Sequence, residues 1–298
     1  MGLLMISDSG LNSGVAKKSP ARLFVLLARE QPVGVIFRRG PSKQVLLIKW
    51  NLRKDTFETG QWFKGRVYER RCDLSPNGKF LIYFAAKQKP PLYSWTAISK
   101  PPYFTALALW RKGDCWNGGG WFLDNKMIRL NHSPLDDPEL RRGFRPGPIK
   151  IGGFAEFGGE DGTVWDIVRK RDGWTCDNEG NSVDRGGGRG WALDPPQQWT
   201  KPGRRGHVLQ QSILGIGGKG VPWYQINYRV LKEGEMVLDI GVVDWADWDD
   251  KGNLLFAKDG CIFRQHLSSL HRPSPKKLAD FNDLKFENVA TPTWAELW

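Results

Sequence analysis

Cys72-Asp-Leu-Ser-Pro-Asn-Gly-Lys-Phe-Leu-Ile-Tyr-Phe84 returns, far down the chain, as Ala246-Asp-Trp-Asp-Asp-Lys-Gly-Asn-Leu-Leu-Phe-Ala257. Asp73 aligns with Asp247, Gly78 with Gly252, and Phe80-Leu-Ile82 with Leu254-Leu-Phe256. Each copy reads as strand, tight turn, strand. Asn77-Gly78 and Lys251-Gly252 place a glycine where the turn needs positive φ without a Cβ clash. Gly119-Gly-Trp-Phe-Leu-Asp-Asn-Lys-Met-Ile-Arg-Leu130 is a degenerate third copy without the turn glycine.

The same grain runs outward in both directions. Short runs rich in β-branched and aromatic residues lie at 23–28, 33–37, 45–50, 79–84, 103–110, 127–130, 164–168, 208–214, 223–231, 236–243, 254–256 and 261–263. Turn residues separate them, and they are too short for typical helices. Glycines and prolines are scattered throughout, so helical periodicity is nearly absent. One helical turn is expected within 266–280, before Pro273. The stretch 131–206 is poor in apolar runs and is expected to hold long loops. With weaker runs included, about twenty strands are expected. That many strands must close a barrel, pack as two sheets or repeat radially to hide their edges. The internal repeat favours the radial solution.

Ser75-Pro-Asn-Gly-Lys-Phe-Leu-Ile-Tyr83 resembles the strand–turn–strand unit of TolB-like and WD-type β-propeller repeats, and Asp249-Asp-Lys-Gly-Asn-Leu-Leu-Phe-Ala257 is similar to it. Trp165-Asp166 and Trp248-Asp249 also occur, at irregular spacing from Gly206-His207. The resemblance implies an all-β chain, a single β-propeller of about five four-stranded blades, with six as the alternative. Residues 21–298 would form the propeller domain, behind a flexible N-terminal arm at 1–20 that is rich in Ser, Gly, Asn and Lys.

The composition is that of a globular chain, with 40% apolar and 26% charged residues among 298. No apolar window is long enough for a membrane helix. The start lacks a basic region followed by a long apolar one, so a cytoplasmic location is expected. Cys72, Cys115, Cys176 and Cys261 are widely spaced and read as reduced thiols. With His132, His207, His266 and His271 they show no metal-ligand spacing, and no metal or cofactor is expected.

The catalytic motifs fail on context. Gly215-Ile-Gly-Gly-Lys-Gly220 satisfies G-x-G-x-x-G, but a strand-like run follows where a dinucleotide site needs a helix. Asp244-Trp-Ala-Asp-Trp-Asp-Asp250 could offer oxygens to Ca²⁺, but Lys251 and Lys258 break the loop pattern, and a blade turn explains the acids better. Cys261 with His266 or His271, and Glu156 with Glu160, are ordinary coincidences. No catalytic residue is assigned.

The charge points elsewhere. Residues 1–90 hold 17 Lys and Arg against 6 Asp and Glu, a net of +11, whereas residues 91–298 hold 27 against 26. Nearly all of the overall +12 sits in one third of the chain. Arg38, Arg39, Lys64, Arg66, Arg70 and Arg71 are the candidate contacts for a partner protein with an acidic surface. Nucleic-acid binding through residues 38–71 is the alternative, because Trp62, Phe63 and Tyr68 interleave with the cations. A sugar-binding or hydrolytic propeller using Trp-rich loops is a third reading. Trp50, Trp95, Trp110 and Trp165 read as core. Trp62, Trp116, Trp121, Trp174, Trp191 and Trp199 are the aromatic contact candidates.

Overall fold

The structure is a computed structural model that describes residues 19–40, 43–133, 144, 147–155, 161–184, 186, 190–218, 222–270 and 273–298. The expected arm therefore lies, but for its last two residues, outside the described residues.

The described residues are mostly β, in five sheets of three to six strands. The first holds β1 (Arg22–Leu27), β2 (Val33–Arg39), β3 (Gln44–Asn51) and β4 (Thr56–Lys64) in sequential order. The second pairs β7 (Leu81–Ala86) with the short β5 (Arg66–Val67) and β6 (Asp73–Leu74) on one side, and continues through β8 (Ser94–Ser99) to β9 (Ala108–Arg111). The third holds β10 (Gly120–Phe122), β11 (Met127–Leu130) and β12 (Lys150–Phe154). Helix α1 (Asp161–Arg171) follows. The fourth sheet is built from β13 (Thr175–Asn178), β14 (Ser182–Asp184), β15 (Trp191–Pro202), β16 (His207–Ile216), β17 (Tyr224–Lys232) and β18 (Glu235–Val242). The fifth holds β19 (Trp245–Trp248), β20 (Leu254–Lys258), β21 (Cys261–Gln265) and β22 (Lys276–Asp280), and a short α2 (Thr293–Glu296) lies near the C-terminus. Strands pair antiparallel except β11 with β12.

The two aligned repeat copies both form strand–turn–strand hairpins, with cross-strand registers that differ by one residue. Asp73 stands opposite Ile82 across β6–β7, and Asp247 opposite Leu255 across β19–β20. Gly78 (φ 70°) and Gly252 (φ 82°) close the turns with N–H bonds to the Ser75 and Asp249 carbonyls. The third copy is the β10–β11 hairpin.

Unbroken apolar runs, rather than alternating ones, follow from burial on both faces. Side chains alternate across a strand. On β1, Phe24 and Leu26 pack with Leu74 and Tyr83 of the second sheet, whereas Leu23 and Val25 pack with Leu255 and Ile262 of the fifth. On β20, Leu254 and Phe256 join the fourth-sheet residues Trp199, Leu209 and Tyr228, and Leu255 and Ala257 turn to the first sheet. Ile82 and Ile98 of the second sheet meet Phe122 and Ile128 of the third. Trp121 of the third sheet meets Val164 and Val168 of α1, and Trp165 carries α1 into the fourth-sheet cluster. Each sheet thus touches the next along the chain, through α1 between third and fourth, and the fifth touches the first.

Polar clasps reinforce that last junction. The Leu23 N–H donates to Asp244 Oδ2 at 2.9 Å, and the Ala21 N–H to Asn282 Oδ1 at 2.9 Å. Residues 281–298 then run back as a strap without strands. Arg38 donates to the carbonyls of Phe281, Asn282 and Leu284 at 3.0–3.3 Å. Phe286 packs on Trp62, Gln61 donates to Thr291 Oγ1 at 2.6 Å, Trp294 meets Tyr103, and Trp298 meets Phe80.

One expected strand is a helix. Residues 164–168 lie inside α1, where Val164, Trp165, Val168 and Arg169 share a buried stripe. The run is apolar enough to serve either period. Asp161 in the first turn and Arg169-Lys170-Arg171 in the last match the helix dipole and favour the helix. The turn expected after 266 is a 3-10 turn at Leu267–Ser269.

Candidate functional site

Two large cavities open where the sheets converge. The first, about 980 Å³, lies among β1, β6, the end of α1, the β15–β16 turn and β19. Seven cationic and seven carboxylate side chains line it. The charges are largely consumed in pairs. Arg171 bridges Asp73 at 2.6 Å and Asp172 at 2.8 Å, and Lys201 bridges Asp247 at 2.7 Å. Burial pushes the Asp73 and Asp247 carboxyls up, against the pull of Arg171 and Lys201. Asp73 also accepts the Phe122 N–H at 2.8 Å, joining the second sheet to the third. Arg169 is held between the rings of Trp165 and Trp199, 3.9 and 3.7 Å from their centroids, and bonds to Asp166 and Gln211. Burial lowers its pKa. This cavity is polar but internally compensated.

The second cavity, about 800 Å³, is not. Seven cations, Arg22, Arg38, Arg39, Lys43, Arg66, Arg70 and Lys87, line it against Glu69 and Asp161. Both carboxylates are engaged. Glu69 sits in a 3-10 turn that interrupts the edge of the second sheet between β5 and β6. One of its oxygens receives both Arg39, at 2.5 Å, and Arg70, at 3.2 Å. Burial would push the Glu69 carboxyl up, but Arg39 and Arg70 outweigh it and hold it below the usual range. Asp161, at the start of α1, receives Arg71 Nε at 2.7 Å and the Tyr224 hydroxyl at 2.8 Å. Burial, with Asp161 next in weight, raises the Tyr224 pKa far above its ordinary value. Arg22, Lys43, Arg66 and Lys87 form no ion pair among the described residues.

The candidate cations therefore separate by role. Arg38, Arg39, Arg66 and Arg70 share the second cavity. Arg38 is buried and its donors are spent on the strap and on the Gly40 carbonyl. Arg71 lies outside the cavity, buried, with its donors on Asp161 and the carbonyls of Cys115 and Asn117. Lys64 is exposed over the Phe286 ring. Arg66 lies over Tyr68, and Arg70 is flanked by Phe24, Trp165 and Tyr224. Arg22 and Lys87 flank the 38–71 span in sequence, and Trp223 and Tyr224 reach the cavity from the fourth sheet. Only topology brings those groups together, and no local motif marks them.

The tryptophans divide as sharply. Trp50, Trp95, Trp110 and Trp165 are buried, as expected of core residues. Among the contact candidates, Trp121, Trp174 and Trp199 are buried and Trp62 is half-buried beneath the strap. Trp116 (67% exposed) and Trp191 (50%) remain open, and so do Trp223 and Trp294, which the sequence did not single out.

The other motifs fall into structural roles. Asp249 caps its own turn, accepting the Lys251 and Asn253 N–H groups at 3.0 and 2.7 Å. Among the described residues, no group of His, Cys, Asp and Glu is arranged to hold a metal ion. Described Gly215–Gly218 ends β16 and β17 follows as a strand; Lys219 and Gly220 lie outside the described residues, as do Glu156, Glu160 and His271. The Cys261 thiol is pushed up to about 11 by burial and by Asp280, and all four cysteines are free. No described helix is long and apolar enough to cross a membrane.

No family model and no curated protein matches the chain. Among solved structures it is similar to that of the uncharacterized protein lmo1340 from Listeria monocytogenes EGD-e. That likeness has 10% sequence identity and a TM-score of 0.30, and covers 90% of this chain and 85% of that one.

Proposed function

We propose that the five sheets are the blades of one β-propeller, and that the propeller is a non-catalytic scaffold whose basic cavity docks an acidic partner protein. The blade reading is supported by sheets that follow one another in sequence, by strands buried on both faces, and by the contact of the fifth sheet with the first. One observation carries the docking reading. The second cavity gathers seven cations against two carboxylates that are already paired, so among the described residues its charge is unbalanced and open to an acidic partner. Exposed Lys64 extends the patch. The charge is concentrated in a cavity rather than spread along a track, which suits a protruding acidic segment better than a continuous phosphate backbone.

The test is capture from native extract by the immobilised chain, beside the triple variant Arg22→Glu/Arg66→Glu/Lys87→Glu. A stoichiometric acidic polypeptide is expected on the parent chain, weakened by salt and lost on the variant. Retention of RNA or DNA with a steep salt dependence instead would move the assignment to nucleic acid. Identical capture by parent and variant would remove the cavity from the interface.

A further inference from the structure

We propose that the basic cavity is a phosphomonoester site, and that the group it receives is a phosphorylated side chain of the partner polypeptide. The proposal rests on the docking reading above and adds the chemistry of the captured group.

Arg22, Arg39 and Arg70 line one cavity; the Arg22 pKa is lowered by burial and then by Arg39, with Glu69 and Asp244 pulling the other way and Arg70 adding a weaker push. Only Glu69 is shared by Arg39 and Arg70, and it offers both the same oxygen. Arg70 is nine-tenths buried, and its Nε–H is shielded from solvent without an acceptor. Arg22, its guanidinium partly buried, and the exposed Arg66, Lys43 and Lys87 add four cations without an ion-paired carboxylate among the described residues.

Carboxylate and phosphate ligands differ in charge and in the number of oxygens they offer. A glutamate or aspartate brings one charge and two coplanar oxygens, which satisfy one fork. A phosphomonoester brings a charge of about −1.5 to −2 near neutral pH and three acceptor oxygens, which can meet several forks at once. A surplus spread over several arginines from β1, β2, β5 and the following turn fits the second better. The cavity, about 800 Å³, has room for a whole residue with part of its backbone. Trp223, 49% exposed on its wall beside Tyr224, gives the flanking residues an aromatic surface.

The test uses the full chain and fluorescence anisotropy with a phosphoserine-centred peptide pool of random flanks. Matched pools carry serine or glutamate at the centre, and adenosine monophosphate is a separate competitor. The phosphoserine pool should bind about tenfold or more tighter than either matched pool. Arg22→Ala and Arg66→Ala should each weaken it about tenfold, and Arg66→Lys should fail to restore it because a point charge replaces the fork. Arg229→Ala, on the fourth sheet, should change nothing. Equal binding of the glutamate pool would overturn the phosphomonoester assignment and leave the acidic docking face standing. Adenosine monophosphate binding more tightly than the phosphoserine pool would overturn the polypeptide source. Binding unaffected by either alanine variant would overturn the site. Should those variants fail to fold, titration of the parent chain into O-phospho-L-serine, followed by ³¹P chemical shift, decides the matter: no shift overturns the proposal.

Discussion

Single side chains carry much of the work of joining one sheet to another. Arg71 shows this: its charge made it a surface candidate, yet it is buried against Asp161 and two carbonyls. Arginine in a sequence looks the same whether it faces solvent or a buried carboxylate 90 residues away, so its role was not legible. Asp244 shows a consequence that can be measured. Burial pushes its carboxyl up to about 6, while it accepts the Leu23 N–H. An unfolded aspartate titrates at about 3.9. Between those values the folded chain holds the extra proton, so this group's contribution is full below about pH 4 and declines as pH rises through 6. The decline should be about 2–3 kcal/mol at most. Asp244→Asn keeps an acceptor for Leu23 and removes the titration. Denaturant unfolding from pH 4 to 7 should therefore be flatter in the variant, and an unchanged slope would discount the assignment.

At the scale of elements, the repeat was legible because turn chemistry is local. Ser75 and Asp249 occupy the same turn position and both accept an N–H from the residue just before the strand that follows: Phe80 to Ser75 Oγ at 2.9 Å, Asn253 to Asp249 Oδ1 at 2.7 Å. Asp249 also holds the Lys251 N–H, the Asn253 amide and Arg264. Ser75→Ala should cost about 1 kcal/mol, one net hydrogen bond. Asp249→Ala should cost about 2–4 kcal/mol, because a buried pair is broken as well. Equal costs in equilibrium unfolding would refute the distinction. Helix α1 was not legible, because Val164-Trp-Asp-Ile-Val168 carries apolar groups at both periods. The end charges, Asp161 and Arg169 to Arg171, were the available signal. The second cavity was legible in its charge and not in its membership. Arg38, Arg39, Arg66 and Arg70 are neighbours in sequence, but Asp161, Trp223 and Tyr224 arrive only through tertiary packing.

For the whole molecule, the strap at 281–298 matters as much as any sheet. It satisfies buried Arg38 and covers Trp62 and Phe80. A chain ending at Asp280 would leave the Arg38 guanidinium without these carbonyls, a defect of about 3–5 kcal/mol on the scale of buried charges. Melting should fall by roughly 10 °C for a molecule of this size, with new binding of a hydrophobic dye. An unaltered melting curve would mean that the strap is passive.

The contact between fifth and first sheets also imposes a timetable. Leu23, Val25, Ile36 and Leu46 emerge early in synthesis, but Leu255, Ala257 and Ile262 are made more than 200 residues later. At about 5–20 residues per second, that face of the first sheet stays uncovered for some 10–40 s on the ribosome. The nascent chain must carry a sticky, strand-rich surface through that interval. Its yield in a cell should then depend on the pace of translation and on chaperones that shield the surface, independently of how stable the finished molecule is.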